Sequence, residues 1–353
     1  MELSQWTRKA AFWWYRLSTT LHSLRYLYFL SPEKVANFLN SYAIYDHDWR
    51  DEGELIKAWG ADYYTQVKGM LIDYYSILNY LCSIGQVEKM YIPPALDLSQ
   101  SIIENQVLFE QRICRDLGMR KGDQVMDLGC GRGRVVAHVA SATGARVVGI
   151  NIDPSQLESA KRFALGLGLA GQCQFDQWDY NERPFPFADS SFDHVYQIQA
   201  LSLCKSLPDL FSELHRLIKP GGKFASLDWV RLAQFNPTNP VHADLMRRIK
   251  PLIGAIGTPS VQDLEDQLSS AGFEVLTSEN PSIDGLQAPL IENADHYFTR
   301  IARSIDVLVR WRVIPVHFKL LFDRLTKDGA AFVEADRLRL VTTSYYIVAR
   351  KKA

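Results

Sequence analysis

The sequence lacks an excess of charge of either sign. Its 353 residues include 39 Lys and Arg against 40 Asp and Glu, a formal net charge of -1. A dedicated nucleic-acid-binding protein usually carries a basic excess, so we expect no nucleic-acid partner. Low-complexity disorder is also excluded, because 47% of the residues are hydrophobic and 12% are aromatic, enough for a sizeable core.

Cysteine is scarce and scattered, and long apolar runs are missing. The five cysteines form no CxxC pair, which excludes a disulfide scaffold and a zinc site, and we expect no metal. We find no secretory leader and no run of about 18 apolar residues, so we expect no transmembrane helix. From the scattered cysteines we expect a cytoplasmic location. Peripheral contact with the endoplasmic reticulum membrane is an open alternative. The oligomeric state stays open.

Two stretches combine aromatic or apolar residues with basic ones. AAFWWY at 10–15 is flanked by Arg8, Lys9 and Arg16, and the amphipathic segment 300–324 carries six Lys and Arg against two Asp. Such a composition suits a helix lying on an anionic membrane. A helix packed on its own domain, with solvated salt bridges, explains the same pattern, and both interpretations stay open.

Strands alternate with helices in the second half of the chain. Apolar runs predict strands starting at 124 and spanning 146–153, 172–179, 192–200, 219–230, 271–278 and 344–351. Helices are predicted at about 99–117 and 208–218. This alternation indicates βαβ units and a parallel sheet. Residues 279–340 are too long for a hairpin loop and predict a helical insertion between the last two strands.

We therefore predict an α/β, Rossmann-like fold in four segments. Residues 1–70 form a helical extension and residues 71–118 a helical lid that contributes to an acceptor site. Residues 119–278 form the core, and residues 279–353 form a helical lid and the final strand.

The strongest motif is the loop Asp127-Leu-Gly129-Cys-Gly131-Arg-Gly133 after the first strand. Glycines allow close approach of the backbone to a ligand and a tight turn into a helix. The dinucleotide fingerprint GxGxxG would need a glycine where Arg134 stands. A carboxylate at the strand end disfavours a pyrophosphate and suits a cationic ligand, such as the sulfonium and amino groups of S-adenosylmethionine.

Later residues supply the other contacts of such a ligand. Asn151 ends the second strand, where a ribose hydroxyl partner is expected. Asp179 could accept from an adenine amino group, and Trp178 and Tyr180 could stack on the ring. The predicted cofactor-binding set is Asp127, Gly129, Cys130, Gly131, Gly133, Asn151, Ile152, Gln156, Trp178, Asp179, Tyr180 and Gln197.

These motifs together resemble class I S-adenosylmethionine-dependent methyltransferases. The resemblance lies in VMDLGCGRGR, VVGINID, DQWDY, SFDHVYQIQA and LIKPGGKF, and it implies a seven-stranded sheet whose last strand is antiparallel. The segments at 73–94, 228–242, 260–275 and 325–351, with Asn151, resemble the sterol C-methyltransferases, including their nematode C-4-methylating branch. The implied substrate is a hydrophobic, sterol-like or triterpenoid-like lipid.

The sequence departs from the C-24 enzymes at two places. Gln199 and Leu203 stand where those enzymes carry glutamate and histidine, and residues 81–84 replace an aromatic, acidic patch. Alkene methylation creates a carbocation that carboxylates and π faces stabilise, and a neutral Gln199 does this less well. Methylation beside a ketone, or of a hydroxyl in a terpenoid or polyketide, needs a base instead. A non-catalytic ligand-binding protein is a third alternative.

The candidate base is Asp228, expected just after the fifth strand, with Tyr91 and His242 as further catalytic candidates. In this fold, the carboxyl ends of the fourth and fifth strands face the acceptor. The predicted acceptor-binding residues are Tyr74, Tyr75, Tyr196, Gln199 and His296.

Overall fold

The computed structural model describes residues 17–85 and 87–352, so the aromatic stretch at 10–15 lies outside the described residues. The chain divides into two compact units. Unit 1 comprises the chain up to Ala43, Tyr64–Met90 and Ala294–Lys327. Unit 2 comprises Ile44–Tyr63, Tyr91–Asn293 and Asp328–Ala353. The four-segment division made from the sequence stays a prediction.

Unit 2 contains one seven-stranded sheet. Its strands are β1 (Gln124–Leu128), β2 (Arg146–Asn151), β3 (Cys173–Gln177), β4 (Phe192–Ile198), β5 (Ile218–Arg231), β6 (Phe273–Glu279) and β7 (Val341–Lys351). The order is β3-β2-β1-β4-β5-β7-β6. The pairs from β3 to β5 are parallel, and β7 runs antiparallel to both β5 and β6. The predicted fold class and all seven predicted strands are confirmed.

The helices of unit 2 precede β1 or lie between the strands in the chain. They are α3 (Glu52–Trp59), α5 (Ile102–Leu117), α6 (Arg134–Thr143), α7 (Pro154–Gly166), α8 (Leu207–Leu217), α9 (Pro240–Ile253), α10 (Val261–Ser270) and α13 (Gly329–Arg337). Local chemistry sets their ends. Ser101 and Glu104 form a capping box at the start of α5, and Gly118 ends that helix in the left-handed region. Asp153 caps α7 by accepting from the backbone of Ser155 and Gln156.

Unit 1 is helical. Residues 17–28 form α1, followed by α2 (Pro32–Ser41), and most of α4 (Tyr63–Ile84), most of α11 (Ala288–Arg310) and all of α12 (His317–Thr326) belong to this unit. Its core includes Tyr74, which is 2% exposed and stacks on Phe38 with ring centroids 6.0 Å apart. The predicted helical insertion between the last two strands is confirmed as α11, α12 and α13.

The expectation of one helix over 300–324 is wrong. Helix α11 ends at Arg310 and α12 begins at His317, so residues 311–316 interrupt the segment. Pro315 lacks a backbone N–H and disfavours helical geometry at the residue before it. Arg312 adopts a left-handed backbone with φ 57° as the chain leaves α11. Within the described part of the chain, no helix combines the length and apolarity that a membrane crossing needs.

The two faces of the sheet carry different cores. Met126 and Leu128 of β1 pack with Val195 and Phe224 on one face. Val125 packs with Tyr196 on the other, together with Phe109 of α5. Because side chains alternate along a strand, Asp127 lies on the Tyr196 face, and its Cα is the register partner of Tyr196 in β4.

Candidate functional site

The loop between β1 and α6 is a glycine turn with no room for a side chain at Gly129 or Gly133. Gly129, Gly131 and Gly133 have φ values of 80°, 52° and 69°. A Cβ atom on Gly129 would lie 2.8 Å from the Cβ of Ala200, and one on Gly133 would lie 2.6 Å from the Cβ of Ala160. Only glycine fits these positions, because both the left-handed backbone and the short contacts exclude a side chain.

The same loop is tied to the end of β2. The backbone N–H groups of Gly129 and Cys130 both donate to the carbonyl oxygen of Ile150, each at 3.0 Å. Cys130 is buried, and burial raises the pKa of its thiol well above the usual value. The turn thus brings the N-terminus of α6 to the carboxyl edge of the sheet, where a ligand can approach its backbone.

Asp127 is the buried charge of the site. Its side chain is 4% exposed, and burial raises the pKa of its carboxyl to about 7. The Glu110 carboxylate raises the pKa further, and the Tyr196 hydroxyl lowers it. None of these three causes is a cation. A buried carboxylate whose pKa no cation among the described residues lowers fits a cationic ligand, because that ligand would supply the opposite charge.

Asn151 lies at the end of β2, as predicted. Its amide nitrogen donates to Gln156 Oε1 at 2.9 Å and, at 3.5 Å, to the carbonyl oxygen of Gly131. Its amide oxygen accepts from the backbone N–H of Ile152 at 2.8 Å. These bonds connect three predicted cofactor-binding residues, Asn151, Ile152 and Gln156, to the glycine loop.

The three residues after β3 that were predicted to contact adenine differ in their surroundings. Asp179 is 5% exposed and accepts from the backbone N–H of Asn181 at 2.9 Å, and Trp178 is half-buried. Tyr180 belongs to the core, and its hydroxyl donates to the carbonyl oxygen of Ala200 at 2.6 Å. Tyr180 therefore has a structural role, and stacking of Trp178 and Tyr180 on an adenine ring stays a prediction.

The side chain of Gln197 is used inside the protein. This residue is fully buried, and its Nε2 donates to Ser226 Oγ at 2.6 Å while its Oε1 accepts from the backbone N–H of Ala200 at 2.8 Å. The amide of Gln197 thus holds the turn after β4, and contact of this residue with a cofactor stays a prediction.

Asp228 lies within β5 and not after it, which corrects its predicted position. Its Oδ2 accepts from the backbone N–H of Leu201 at 2.7 Å, and its Oδ1 accepts from the N–H of Trp229 at 2.8 Å. Burial nevertheless raises the pKa of Asp228 to about 7, because these backbone donors offset only part of the desolvation cost. A base with a pKa near neutrality is suited to proton transfer, so this role of Asp228 stays a prediction.

Gln199 connects three chain segments through its side-chain amide, and its predicted role in acceptor binding stays a prediction. It follows β4 with a left-handed backbone, φ 54°. Its Nε2 donates to the carbonyl oxygens of Ile92 and Thr343 at 2.8 and 2.7 Å, and its Oε1 accepts from the N–H of Ile92 at 3.1 Å. This use of both ends of the amide explains why glutamine, and not glutamate, occupies the position.

We expect Gln199→Glu to destabilise the protein by about 2–4 kcal/mol, because a carboxylate would face the carbonyl oxygens of Ile92 and Thr343. Thermal unfolding at several pH values measures the effect. The loss of stability in Gln199→Glu should grow as the pH rises, because only the ionised carboxylate repels both carbonyl oxygens. Gln199→Ala, which removes the same bonds without adding a charge, is the control. If both variants lost the same stability at every pH, the hydrogen bonds of Gln199 would not explain why this residue is glutamine and not glutamate.

Tyr91 donates its hydroxyl to a buried acid that the sequence analysis did not identify. The Tyr91 Oη lies 2.7 Å from Glu110 Oε1 and 3.1 Å from the carbonyl oxygen of Gln106. Burial and the Glu110 carboxylate raise the pKa of Tyr91 well above its usual value. This argues against Tyr91 as the base, because a phenol that holds its proton so strongly is a poor acceptor near neutral pH.

Glu110 itself is fully buried and also contacts His138 Nδ1. The signal in the sequence was a set of polar residues on the apolar face of α5, since Asn105, Gln106 and Glu110 are all buried there. Gln287 was missed as well. Its Nε2 donates to the carbonyl oxygen of Pro93 at 2.8 Å, so a second glutamine amide binds the segment after Tyr91.

The remaining candidates are spread over both units. Tyr196 is fully buried beside Asp127 in unit 2, and His242 accepts from the backbone N–H of Asn236 at 3.1 Å. Tyr74, Tyr75 and His296 belong to unit 1. Tyr74 contacts Tyr75 edge to face, and His296 is exposed. Their roles in acceptor binding and catalysis stay predictions.

Comparisons with known proteins agree with this geometry. Residues 126–226, which contain the glycine loop and run into β5, match the model of a methyltransferase domain. The structure of a putative sarcosine dimethylglycine methyltransferase from Galdieria sulphuraria aligns with a TM-score of 0.62 over 79% of this chain and 98% of that one. Its sequence identity is 16%, so this likeness concerns the fold.

Three sterol 24-C-methyltransferases are more similar to this chain in sequence. The enzyme of Pneumocystis carinii is 34% identical over 185 residues, 51% of this chain and 47% of that protein. The match thus spans about half the length of that relative. The match to the enzyme of Eremothecium gossypii likewise covers 45% of that protein. The enzyme of Aspergillus fumigatus is 32% identical over 262 residues, 69% of each chain. This last alignment confirms the resemblance, and the chain belongs to the sterol C-methyltransferase family of class I methyltransferases.

Proposed function

We propose that this protein transfers a methyl group from S-adenosylmethionine to a carbon atom of a sterol-like or triterpenoid-like lipid. The observation that carries the proposal is Asp127, a buried carboxylate next to a glycine turn at the carboxyl edge of the sheet, whose pKa no cation within residues 17–85 and 87–352 lowers. When bound, S-adenosylmethionine supplies an electrophilic methyl group. Asp127 and the loop Gly129–Gly133 would hold its charged end, with Asn151 and Asp179 at the ribose and adenine.

The lipid acceptor is supported by the family. The relatives of Pneumocystis carinii and Aspergillus fumigatus are named for methylation of sterols. Methyl transfer disperses the charge of the donor, so the protein mainly has to position two substrates and exclude water. A sterol-like acceptor needs a largely apolar site for this.

Gln199 favours one alternative acceptor class. Its amide carries no charge and is bound to Ile92 and Thr343, so it supplies no carboxylate to stabilise a carbocation. A natural product whose carbon beside a ketone, or whose hydroxyl, is methylated needs only a base. The second candidate function is therefore O- or C-methylation of a terpenoid or polyketide on the same scaffold.

One assay separates these functions. The full chain is incubated with a lipid extract and S-adenosylmethionine labelled in its methyl group, and labelled products are identified by mass spectrometry. A labelled sterol or triterpenoid supports the proposal, and a labelled polyketide or small terpenoid supports the alternative. No labelled product, together with calorimetry that detects donor binding, would indicate a non-catalytic protein.

We expect Asp228→Asn to lower the rate of methyl transfer by about a hundredfold or more while leaving donor affinity unchanged. The wild-type rate should rise with pH through about 7, the value to which burial raises the pKa of Asp228, because the base acts in its ionised form. This rise should disappear in the variant. Pre-steady-state rates across pH measure the effect, and titration calorimetry measures donor affinity.

Asp336→Asn is the matched control for this experiment. Asp336 is also buried, and its Oδ2 accepts from the backbone N–H groups of Gln287 and Ala288 at 2.8 and 2.7 Å. Replacing it should reduce stability without removing the pH dependence of the rate. Unchanged turnover in Asp228→Asn, or the same pH profile in both variants, would remove Asp228 from the mechanism.

A further inference from the structure

Unit 1 contains a cavity whose charged lining groups are all basic. Its volume is about 440 Å³, and it is lined by His22, Arg25, Tyr26, Phe29, Leu30, Ser31 and Lys34 from α1, α2 and the turn between them. We call it the basic cavity. Glu33 lies on the first turn of α2, and Asp73 of α4 interacts electrostatically with Lys34. Neither acid lines the cavity.

The wall of the basic cavity is held in place by aromatic packing. Tyr26 stacks on Tyr80 with ring centroids 3.9 Å apart and an interplanar angle of 17°. Lys34 lies over the same Tyr26 ring, 5.6 Å from its centroid. Ser31 caps α2 by accepting from the backbone N–H of Lys34. These contacts give the ammonium group of Lys34 a defined position in the wall of the cavity.

The helix beside the cavity leaves an apolar face uncovered. Leu17, Leu21, Leu24 and Tyr28 follow the helical spacing of four, three and four residues, and they are 51%, 56%, 37% and 45% exposed. We call them the α1 stripe. Phe29, which also lines the cavity, is 76% exposed. A helix in a globular protein normally buries such a stripe, and an exposed one beside basic residues is typical of a helix at a lipid surface.

A second exposed apolar segment lies close to the same place in unit 1. His317 Nε2 is 2.7 Å from the carbonyl oxygen of Leu27, which joins the start of α12 to the end of α1. In the segment that interrupts the predicted helix, Trp311 and Val316 are 74% and 64% exposed. Arg310 and Arg312 stand beside Trp311 in the chain, so this segment repeats the combination of exposed apolar and basic residues.

We propose that the basic cavity binds the phosphate of an anionic lipid headgroup while the α1 stripe and Phe29 enter the surface of the bilayer. A phosphate there meets three basic side chains, and the exposed apolar residues gain burial in the acyl boundary. This would place the protein at the membrane where a lipid acceptor resides. The proposal does not depend on methyl transfer.

Co-sedimentation of the full chain with vesicles tests the proposal. We expect binding to phosphatidylcholine vesicles that contain phosphatidylserine to exceed binding to phosphatidylcholine alone. The double variant Arg25→Gln/Lys34→Gln should lower binding to the anionic vesicles by about 25-fold, since each basic residue near the surface contributes about fivefold. Leu21→Ser/Leu24→Ser should lower binding to both kinds of vesicle.

Matched controls are available in unit 2. Lys161→Gln/Arg162→Gln removes two exposed charges from α7, and Leu165→Ser/Leu167→Ser removes two side chains that are 68% and 55% exposed. Both controls should bind vesicles as the wild type does. Arg25→Lys/Lys34→Arg keeps the charges and should keep binding. Thermal unfolding and donor calorimetry establish that each variant is folded and that the cofactor site is intact.

Two outcomes would overturn the proposal. The first is equal binding of the wild type and the cavity variant to anionic vesicles. The second is calorimetric binding of soluble glycerol phosphate, lost in the cavity variant, without any binding of the wild type to vesicles. That result would identify a free phosphate ester as the ligand and reject the membrane.

Discussion

Asp127→Asn should weaken binding of the methyl donor by about a hundredfold or more and, at the same time, make the protein without donor more stable above neutral pH. Binding falls because the variant lacks the charge that attracts a cationic ligand in a buried site. Titration calorimetry with S-adenosylmethionine measures the first effect. Chemical denaturation between pH 5 and pH 8 measures the second.

The direction of the stability effect follows from the raised pKa. Burial raises the pKa of Asp127 from 3.8 to about 7, so between these values the folded protein keeps a proton that the unfolded chain has released. Stability therefore falls as the pH rises across this range. Above pH 7, the cost of the charged form is on the order of 4 kcal/mol, and Asn avoids it.

Asp228→Asn is the informative comparison for stability. The pKa of Asp228 is raised to the same value of about 7, but both of its oxygens accept backbone N–H groups. An Asn side chain would present its N–H₂ group to one of those donors, so the variant should gain less stability than Asp127→Asn, or lose stability.

The prediction on donor binding has its own decisive outcome. If Asp127→Asn bound the donor as tightly as the wild type, the cationic-ligand argument would fail.

Gly133→Ala should destabilise the protein by about 2–5 kcal/mol and abolish donor binding at accessible concentrations. The added Cβ would lie 2.6 Å from the Cβ of Ala160 and 2.7 Å from Cε1 of Phe175, and the backbone φ is 69°. The left-handed backbone costs about 1–2 kcal/mol for a residue with a Cβ, and overpacking adds about 1–3 kcal/mol. Relieving the clash would also displace the loop that approaches the donor.

Gly168→Ala separates the cost of the left-handed backbone from the cost of overpacking. Gly168 has nearly the same φ, 73°, but a Cβ on it would meet no atom within 4 Å. This variant should lose only about 1 kcal/mol and bind the donor normally. Denaturant unfolding and donor calorimetry compare the pair. Equal losses of stability in both variants would show that the contacts with Ala160 and Phe175 do not matter.

Much of the fold could be predicted because its signals are local. Strands β1 to β7 are apolar runs bounded by turns, and βαβ connections leave few topologies for such a chain. The glycine loop could be predicted for the same reason, since Gly129, Gly131 and Gly133 stand in one short motif next to Asp127. The break between α11 and α12 was also readable in principle from Pro315, although the amphipathic pattern on both sides concealed it.

The sequence by itself determined the sheet, the helical insertion before β7 and the glycine turn that follows the carboxylate of Asp127. Only the tertiary structure decided that Gln197 and Gln199 are bound by backbone groups, that Tyr91 is held by Glu110, and that the α1 stripe is exposed. The physical reason is that a hydrogen bond such as Gln199 to Thr343 joins residues far apart in the chain. Spacing within a motif reports which groups are present, whereas long-range packing determines which of them already have partners.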